Sequence, residues 1–307
     1  QPHQPRHVGL QGVGGALQMF LVKLLLLPVL LRTGINYREN GMDAPVEDIN
    51  PPLLTSATLM IGKTQDYPAG YATVRHTHST AQLLYGIAGV MRILTPRGQW
   101  IVPPSRAIYI PPGHWHEVHM LSPAQVRSVY VQPHALAGMP QQCCVLAVTP
   151  LWRELLLAAV RIPPPVLPDT RAARLLALLL EECEVLETLP LALPTPDDDL
   201  LAPLCRQLQA QPDDERSSEH WAAWLGADVR TLQRRFQRAT GMNFGAWRRQ
   251  ARLMHALAQL ATGARVLDVA LSAGYASPSA FTAMFRRQFG VAPSAFFANP
   301  LPGDGEI

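Results

Sequence analysis

A chain of 307 residues, 48% of them hydrophobic, is too long for one ordinary core and too apolar to be disordered, so we expect two domains with connecting helices. The formal net charge is only +3, but residues 216–297 hold eleven arginines, no lysine and three acidic side chains, whereas residues 1–215 hold fifteen basic and eighteen acidic ones. A basic C-terminal third on a mildly acidic body is typical of a polyanion-binding module, although charge alone equally allows a merely soluble basic face.

The first predicted element is an apolar run over residues 16–31. It is short for a membrane span, it contains Lys23 and Pro28, and no convincing signal-peptide cleavage site follows it. We therefore expect residues 1–41 to be a non-native or disordered extension without a membrane anchor, and a membrane-tethered regulator is the alternative. The four cysteines form no disulfide or metal-binding pattern, which suits a reducing cytoplasm.

Residues 42–149 are expected to form a sensing domain made of short strands. Proline and glycine turns separate five predicted strands, which cover residues 81–88, 90–95, 99–102, 107–110 and 126–131. Many short strands at this spacing are typical of a β-sandwich or a β-barrel.

The hydrophobic period becomes helical after residue 150, where a connector is expected over residues 150–190. Residues 151–160 predict a short helix and residues 170–189 a longer one. The longer helix carries a narrow apolar stripe: Leu176, Leu179, Cys183 and Leu186. Such a stripe suits a partner helix in a homodimer, and packing on the protein's own barrel is an equally weighted alternative. The proline-rich residues 191–199 are expected to be a hinge.

Residues 200–300 are expected to form an all-α domain, because two segments within them share a helix-turn-helix pattern. The first predicts helices over residues 218–225 and 229–240, with Gly226 at the tight turn between them. The second predicts a helix over residues 266–273 and a further helix that follows a turn at Gly274. Asp228 and Ser277 are the expected N-caps of the second helix in each unit.

The second helix of each unit has one inward and one outward face. Apolar residues four positions apart must face inward, namely Leu232 and Phe236 in one unit and Phe281 and Phe285 in the other. Short or guanidinium side chains suited to base edges and phosphates mark the outward faces. These candidate DNA contacts are Arg230, Thr231, Gln233, Arg234, Gln237, Ser279, Ala280, Thr282, Ala283 and Arg286. A predicted helix over residues 244–262, roughly 28 Å long, would separate the units by nearly one duplex turn of about 34 Å.

This C-terminal region resembles the DNA-binding domain of AraC-family transcription regulators. The matching elements are the A-x-x-x-G-Y motif that ends at Tyr275, the S-x-x-F-x-x-x-F-[RK] motif that begins at Ser277, and the G-x-x-P-x-x-[FY] motif that begins at Gly290. The resemblance implies sequence-specific binding to promoter DNA in the cytoplasm, commonly as a homodimer, with RNA polymerase as a further expected contact.

The β-rich region contains the pattern G-x5-H-x-H-x3-Q-x6-G, with His76, His78 and Gln82, and the pattern P-x-G-x2-H, which ends at His116. These patterns resemble the two cupin motifs, which implies a double-stranded β-helix barrel. His76 and His78 lie on the same face of one strand, because side chains alternate along a strand. With His116 from a neighbouring strand they could hold zinc, nickel, manganese or iron. The cupin glutamate is replaced by Gln82, and the closing asparagine is replaced by Met120.

Two interpretations of the barrel remain open. Either the three histidines and the Gln82 amide hold a divalent metal, or these groups line a pocket that binds a small organic effector directly. We favour the organic pocket, because many sensor cupins of the regulator family look metal-free. Four aromatic residues are candidate pocket walls: Tyr85, Trp100, Tyr109 and Trp115.

Together these patterns predict a multidomain protein in which an all-β cupin barrel precedes an all-α double helix-turn-helix domain. The expected function is ligand-responsive control of transcription, without enzymatic activity. The alternative is a cupin metalloenzyme, a dioxygenase or isomerase, fused to a DNA-binding tail. Gln82 argues against that alternative, because it removes the carboxylate that proton transfer would use.

Overall fold

The computed structural model describes residues 46–49 and 59–297. The predicted extension over residues 1–41, with its apolar run, lies outside these residues. In the described part of the chain a β-rich domain comes first and a helical domain follows, which confirms the predicted fold class. None of the helices in that part combines the length and the apolar character needed to cross a membrane.

The β-rich domain is built mainly from two antiparallel sheets. Its strands are β1 (Glu47–Asp48), β2 (Met60–Tyr67), β3 (His76–Thr77), β4 (Ala81–Ala88), β5 (Met91–Thr95), β6 (Gly98–Val102), β7 (Arg106–Ile110), β8 (Glu117–Met120), β9 (Ala124–Val131), β10 (Cys144–Ala147), β11 (Thr188–Leu189) and β12 (Ala192–Pro194). One sheet has the order β11-β10-β7-β4-β9-β2, and the other has the order β12-β6-β5-β8. The five predicted strands are all present, and their ends differ from the prediction by at most two residues.

Strand β4 shows how the sheets separate two cores. It lies between β7 and β9, and it is buried along nearly its whole length. Gln82 and Leu84 face the interior of the barrel, where they line a cavity. Leu83 and Tyr85 point to the opposite face, where they join an apolar cluster with Trp152. Both faces of the strand are therefore covered, which explains why its sequence is apolar at almost every position except Gln82 instead of alternating.

Two helices cover that outer face: α1 (Pro150–Ala159) and α2 (Arg171–Glu184). Thr149 and Thr170 are their N-caps, because each side chain accepts a hydrogen bond from a backbone N–H of the first turn. Helix α2 ends five residues before the predicted boundary, because Thr188 and Leu189 pair with β10 instead. Leu186 consequently lies beyond the helix.

The apolar stripe of α2 packs within its own chain. Leu176, Leu179 and Cys183 are buried in the cluster that contains Trp152. This is the alternative that the sequence left open, and it means that these side chains are not available to a partner helix. Helix α1 and the barrel supply the apolar surface that a second subunit would supply in the other alternative.

The segment predicted as a hinge, residues 191–199, belongs to the barrel and to the start of the next helix. Strand β12 pairs antiparallel with β6, and Leu191 and Leu193 on either side of Ala192 are buried. The hinge prediction is therefore wrong for this part of the segment. Its proline content was misleading, because an edge strand tolerates proline where the missing N–H would face away from the ladder.

The helical domain comprises α3 (Leu201–Ala210), α4 (Ser218–Trp224), α5 (Val229–Thr240), α6 (Phe244–Ala261), α7 (Val266–Ser272), α8 (Pro278–Phe289) and α9 (Pro293–Phe296). Helices α4 and α5 form the first helix-turn-helix unit, and α7 and α8 form the second. Aromatic and aliphatic side chains of both units join one core with the strand β12 residue Leu193.

Candidate functional site

The two helix-turn-helix units have the local geometry that their sequences predict. Gly226 and Gly274 have φ values of +66° and +73°, a region that side chains other than glycine rarely adopt. Asp228 caps α5 by accepting a hydrogen bond from Thr231 N at 2.8 Å, and Ser277 caps α8 by accepting one from Ala280 N at 3.1 Å. Each unit can therefore present its second helix in a defined orientation.

The inward faces of α5 and α8 are buried as predicted, at Leu232, Phe236, Phe281 and Phe285. Most of the ten candidate DNA contacts lie on the solvent side. Seven of them are exposed: Arg230, Arg234, Gln237, Ser279, Ala280, Ala283 and Arg286. Thr231, Gln233 and Thr282 are half-buried.

Two of the candidates also have a structural role. Gln233 Oε1 accepts a hydrogen bond from Phe244 N at 3.1 Å, so this side chain holds the start of α6. Gln237 Nε2 donates to Gly241 O at 2.8 Å, which supports the left-handed residue at the end of α5. Neither bond could be read from helical spacing alone, because both depend on where the chain turns after α5.

An ion pair that the sequence did not indicate joins α5 to the start of the helical domain. The Arg235 guanidinium donates to both carboxylate oxygens of Asp198, at 2.8 and 2.9 Å. This hydrogen bonding lowers the pKa of Asp198. Asp198 also accepts bonds from Leu200 N and Leu201 N, so one carboxylate caps the start of α3 and also holds α5.

Some of the C-terminal arginines bind groups within the protein and are not free to contact a polyanion. Arg252 donates to Pro212 O, Asp214 O and Gly274 O at 2.8 to 3.0 Å, and it thereby links α6 to the turn of the second unit. The Arg216 guanidinium pairs with Asp214 and stacks on the Trp221 ring at 3.9 Å. The charge imbalance thus overstates the positive charge available to a polyanion.

In the barrel, His76, His78 and His116 converge as the sequence predicts. One ligand atom from each ring lies within 4.8 Å of the others, and all three residues are buried. Ring centroids are 4.2 Å apart for His76 and His116 and 4.9 Å apart for His76 and His78. Strand β3 supplies the first position, the segment before β4 supplies the second, and the residue before β8 supplies the third.

Backbone carbonyls orient all three rings in the same way. The Nδ1 atom of His76 faces Val74 O at 2.8 Å, and that of His116 faces His114 O at 3.0 Å. His78 Nδ1 similarly contacts Ile49 O. A carbonyl oxygen can only accept a hydrogen bond, so each Nδ1 carries a proton, and in a neutral ring the lone pair is then on Nε2. Such outer contacts are typical of metal-binding histidines.

His116 Nε2 also lies 3.1 Å from Gln82 Oε1, and Gln82 Nε2 donates to the Tyr130 hydroxyl at 3.3 Å. Burial, reinforced by the neighbouring His76, lowers the pKa of His116 to about 3. The ring is therefore neutral near pH 7, and it cannot donate from both nitrogens. Two acceptor atoms that face each other at this distance require either a rotated amide or a shared cation.

A cavity of about 260 Å³ opens beside these histidines. Its polar lining includes Lys63, Gln82, Ser128 and Tyr130, and its apolar lining includes Leu84, Val118, Met120 and Val126. No carboxylate is present among the described residues that line it. The cavity can hold a ligand smaller than an ordinary drug-sized molecule.

The four predicted wall residues do not line this cavity. Tyr85 and Tyr109 lie on the outer face of the sheet, in the apolar cluster below α1 and α2. Trp100 belongs to the core that runs towards the helical domain, and Trp115 lies under the Arg75 guanidinium at 4.2 Å. Tyr67, Tyr71 and Tyr130 line the cavity instead. The sequence could not show which tyrosines line the cavity, because the side of the sheet that each one faces depends on strand register.

The chain matches two described families in tandem. Residues 60–225 match the family described as "AraC-like ligand binding domain", and residues 221–299 match a "Helix-turn-helix domain" family. The HTH-type transcriptional regulator NimR of Escherichia coli (strain K12) is 29% identical over 223 residues, which cover 73% of this chain and 81% of that protein.

A second relative is the HTH-type transcriptional regulator RipA of Corynebacterium diphtheriae. It is 30% identical over 237 residues, which cover 74% of this chain and 58% of that protein. Among solved structures, ToxT from Vibrio cholerae has 12% identity and a TM-score of 0.34, with 78% of this chain and 98% of that chain covered.

Proposed function

The chain belongs to the AraC family of transcription regulators, and we propose that a small ligand in its barrel controls which promoter DNA its two helix-turn-helix units bind. The observation that carries this proposal is the tandem order of a ligand-binding family match and a DNA-binding family match. The alternative of a cupin metalloenzyme is not supported, because the matched families and the relatives are transcriptional regulators.

The proposed DNA surface is the outward face of α5 and α8. Arg230 and Arg234 on α5 and Arg286 on α8 are exposed and basic. Arginine can contact guanine edges with two hydrogen bonds or bind phosphates. We propose that these helices read two successive major-groove segments of promoter DNA, as a homodimer acting in the cytoplasm, with RNA polymerase as a further contact.

We keep the division of the chain into a sensing domain over residues 42–149, a connector over residues 150–190 and a DNA-binding domain over residues 200–300. Strands β11 and β12 are the exception, because they follow the connector in sequence and pair with barrel strands.

For the barrel we propose a divalent metal, held by the Nε2 atoms of His76, His78 and His116, with Gln82 as a further oxygen ligand. This revises the preference for an organic pocket. The residues fit a metal because three carbonyls set the proton on Nδ1, and because lone pairs of His116 and Gln82 face each other at 3.1 Å. A bound zinc, nickel, manganese or iron ion would act as a Lewis acid that anchors a donor atom of the effector.

The cavity lining also limits the effector. Lys63 is a cationic residue of the lining, and no carboxylate is present among the described lining residues. A neutral or anionic organic molecule is therefore favoured over a cation. The cavity volume of about 260 Å³ limits the effector to a small molecule.

The proposed function is tested by isolating the DNA that the purified full-length protein retains from fragmented genomic DNA. We expect discrete promoter fragments whose footprints contain two protected segments about one helical turn apart. A double variant, Arg234→Ala with Arg286→Ala, is the control, and it should retain few of these fragments. Retention of fragments without any shared sequence, by wild type and variant alike, would contradict sequence-specific regulation.

A further inference from the structure

Strand β12 lies between strand β6 of the barrel and helix α6, so its two edges have different partners. On the barrel side, Leu193 is paired with Gln99 of β6. Ile101 N donates to Leu191 O at 3.2 Å, and Thr195 N donates to Arg97 O at 3.0 Å. The backbone groups of the odd-numbered residues in this segment therefore bond to β6, which makes β12 the last strand of the four-stranded sheet.

The backbone carbonyls of the even-numbered residues face helix α6 of the helical domain. Two of the three are prolines, Pro190 and Pro194, so this edge offers carbonyl oxygens but few N–H donors. Gln250 Nε2 on α6 donates to Pro190 O at 2.7 Å and to Ala192 O at 2.8 Å. Trp247 Nε1, also on α6, donates to Pro194 O at 2.8 Å. Side chains of α6 thus donate hydrogen bonds to the carbonyls that an edge strand would otherwise leave to solvent.

A second contact with the helical domain lies four residues after Pro194, at Asp198. Asp198 caps the start of α3 and pairs with Arg235 of α5. Arg235 is the direct neighbour of Arg234, one of the exposed candidates for base contact. Residues 190–198, which we name the coupling segment, are therefore bonded to both α5 and α6.

The barrel side of the coupling segment leads back to the histidine cluster through a single sheet. Strand β8 begins one residue after His116, and the strand order from there is β8, β5, β6 and β12. A displacement of this sheet at the histidine cluster has a continuous hydrogen-bonded route to α6.

We propose that the coupling segment positions the first helix-turn-helix unit on the barrel, with Trp247, Gln250 and Asp198 as its positioning residues. This inference rests on the proposed function, because it assigns the route by which the barrel influences DNA binding. A change in the four-stranded sheet moves β12, and the carbonyl contacts pass that movement to α6. Trp247 of α6 packs on Phe236 of α5, with ring centroids 5.7 Å apart, and this contact links α6 to the first unit.

Gly98 of β6 allows the segment to be displaced from the barrel side. A Cβ atom added at Gly98 would lie 2.6 Å from Leu193 O, so Gly98→Ala must push β12 away. The matched control is Gly70→Ala, because Gly70 also has a positive φ, of +78°, but has nothing within 4 Å of an added Cβ. Both changes add one methyl group, and only the first one reaches the coupling segment.

The experiment measures backbone hydrogen exchange of the full-length protein, together with its affinity for a duplex selected from a random pool by the wild type. We expect Gly98→Ala to raise exchange within residues 229–250 and to change the dissociation constant at least fivefold. Gly70→Ala should change neither. Exchange that rises only in barrel residues, with an unchanged dissociation constant, overturns the inference.

A double-variant cycle with Gln250→Ala and Gly98→Ala adds a test from the side of α6. Gln250→Ala should raise exchange in residues 190–194 about tenfold, whereas Gln259→Ala in the last turn of the same helix should not. Gly98→Ala should have little further effect on DNA affinity once Gln250→Ala has released the segment. Independent, additive effects of the two changes contradict coupling. If the wild type selects no duplex, the proposed function fails, and the exchange measurements still decide the inference.

Discussion

The Nε2 atom of His116 lies 3.1 Å from the Oε1 atom of Gln82, inside a barrel where His116 is fully buried. The opposite ring nitrogen faces the carbonyl of His114, so a neutral ring has no proton left for the amide oxygen. A cation held between these two acceptors resolves the conflict, and so does a rotated amide. The two solutions predict different metal contents.

The first prediction therefore concerns metal. The purified wild type should contain close to one equivalent of a transition metal by elemental analysis, and His116→Ala should lose most of it, because two imidazoles and an amide form a poor site. Gln82→Glu should bind the metal more tightly, since it adds a negative charge. If the wild type is metal-free after expression and after incubation with zinc, and Gln82→Glu is also metal-free, the site is an organic pocket.

The second prediction concerns the reading helices. Arg234→Ala and Arg286→Ala should each weaken binding to the selected duplex by about 1–3 kcal/mol if they contact bases. Arg265→Ala is the control, because it removes the same charge from an exposed residue before α7. A uniform loss on all sequences with a smaller salt dependence would mark phosphate contacts instead. Unchanged binding by both variants would contradict the assignment of the DNA surface.

The third prediction separates the two faces of α2. Leu179 is fully buried in the protomer core, whereas its neighbour Leu178 is 39% exposed. Leu179→Asp should lower the free energy of unfolding by several kcal/mol, on the order of 3 or more, because it buries a charge. Leu178→Asp should leave the fold intact. Sedimentation of Leu178→Asp then tests whether the exposed face contributes to the proposed homodimer, and an unchanged dimer would place the interface elsewhere.

The fourth prediction concerns pH. Burial lowers the pKa of His255 on α6 below its ordinary value of 6.5. The folded state therefore binds fewer protons than the unfolded state, and stability should fall as the pH drops below 6.5, by at most about 1.4 kcal/mol per pH unit from this residue. Urea unfolding between pH 7.5 and 5 should show a smaller slope for His255→Gln than for the wild type.

The control for this pH effect is His220→Gln, because His220 is exposed on α4. A slope that changes in His255→Gln but not in this variant assigns the pH effect to the buried site. Equal slopes for the wild type and His255→Gln would mean that His255 is protonated equally easily in the folded and unfolded protein.

Local chemistry determined much of this protein without reference to its tertiary structure. The caps at Asp228 and Ser277 and the turn glycines Gly226 and Gly274 lie where the sequence predicts them. Their roles depend on neighbours within four residues, so the sequence contains all the necessary information. The histidine cluster was predicted for a related reason, because the two-residue spacing of His-x-His in extended backbone places both rings on the same side and leaves only the third to be found. Strand β3 itself ends at Thr77, so His78 lies just beyond it.

Only the tertiary structure decided which partner each apolar or polar face meets. Leu179 suits a second subunit or its own barrel equally well by spacing, and the choice depends on where α1 packs. Tyr85 and Tyr130 differ in which side of the sheet they face, which strand register determines. Residues 190–194 look like a hinge by composition, yet their prolines suit an edge whose carbonyls are bound by Trp247 and Gln250. Those donors lie more than fifty residues away in the chain, and no local pattern could connect them to the strand.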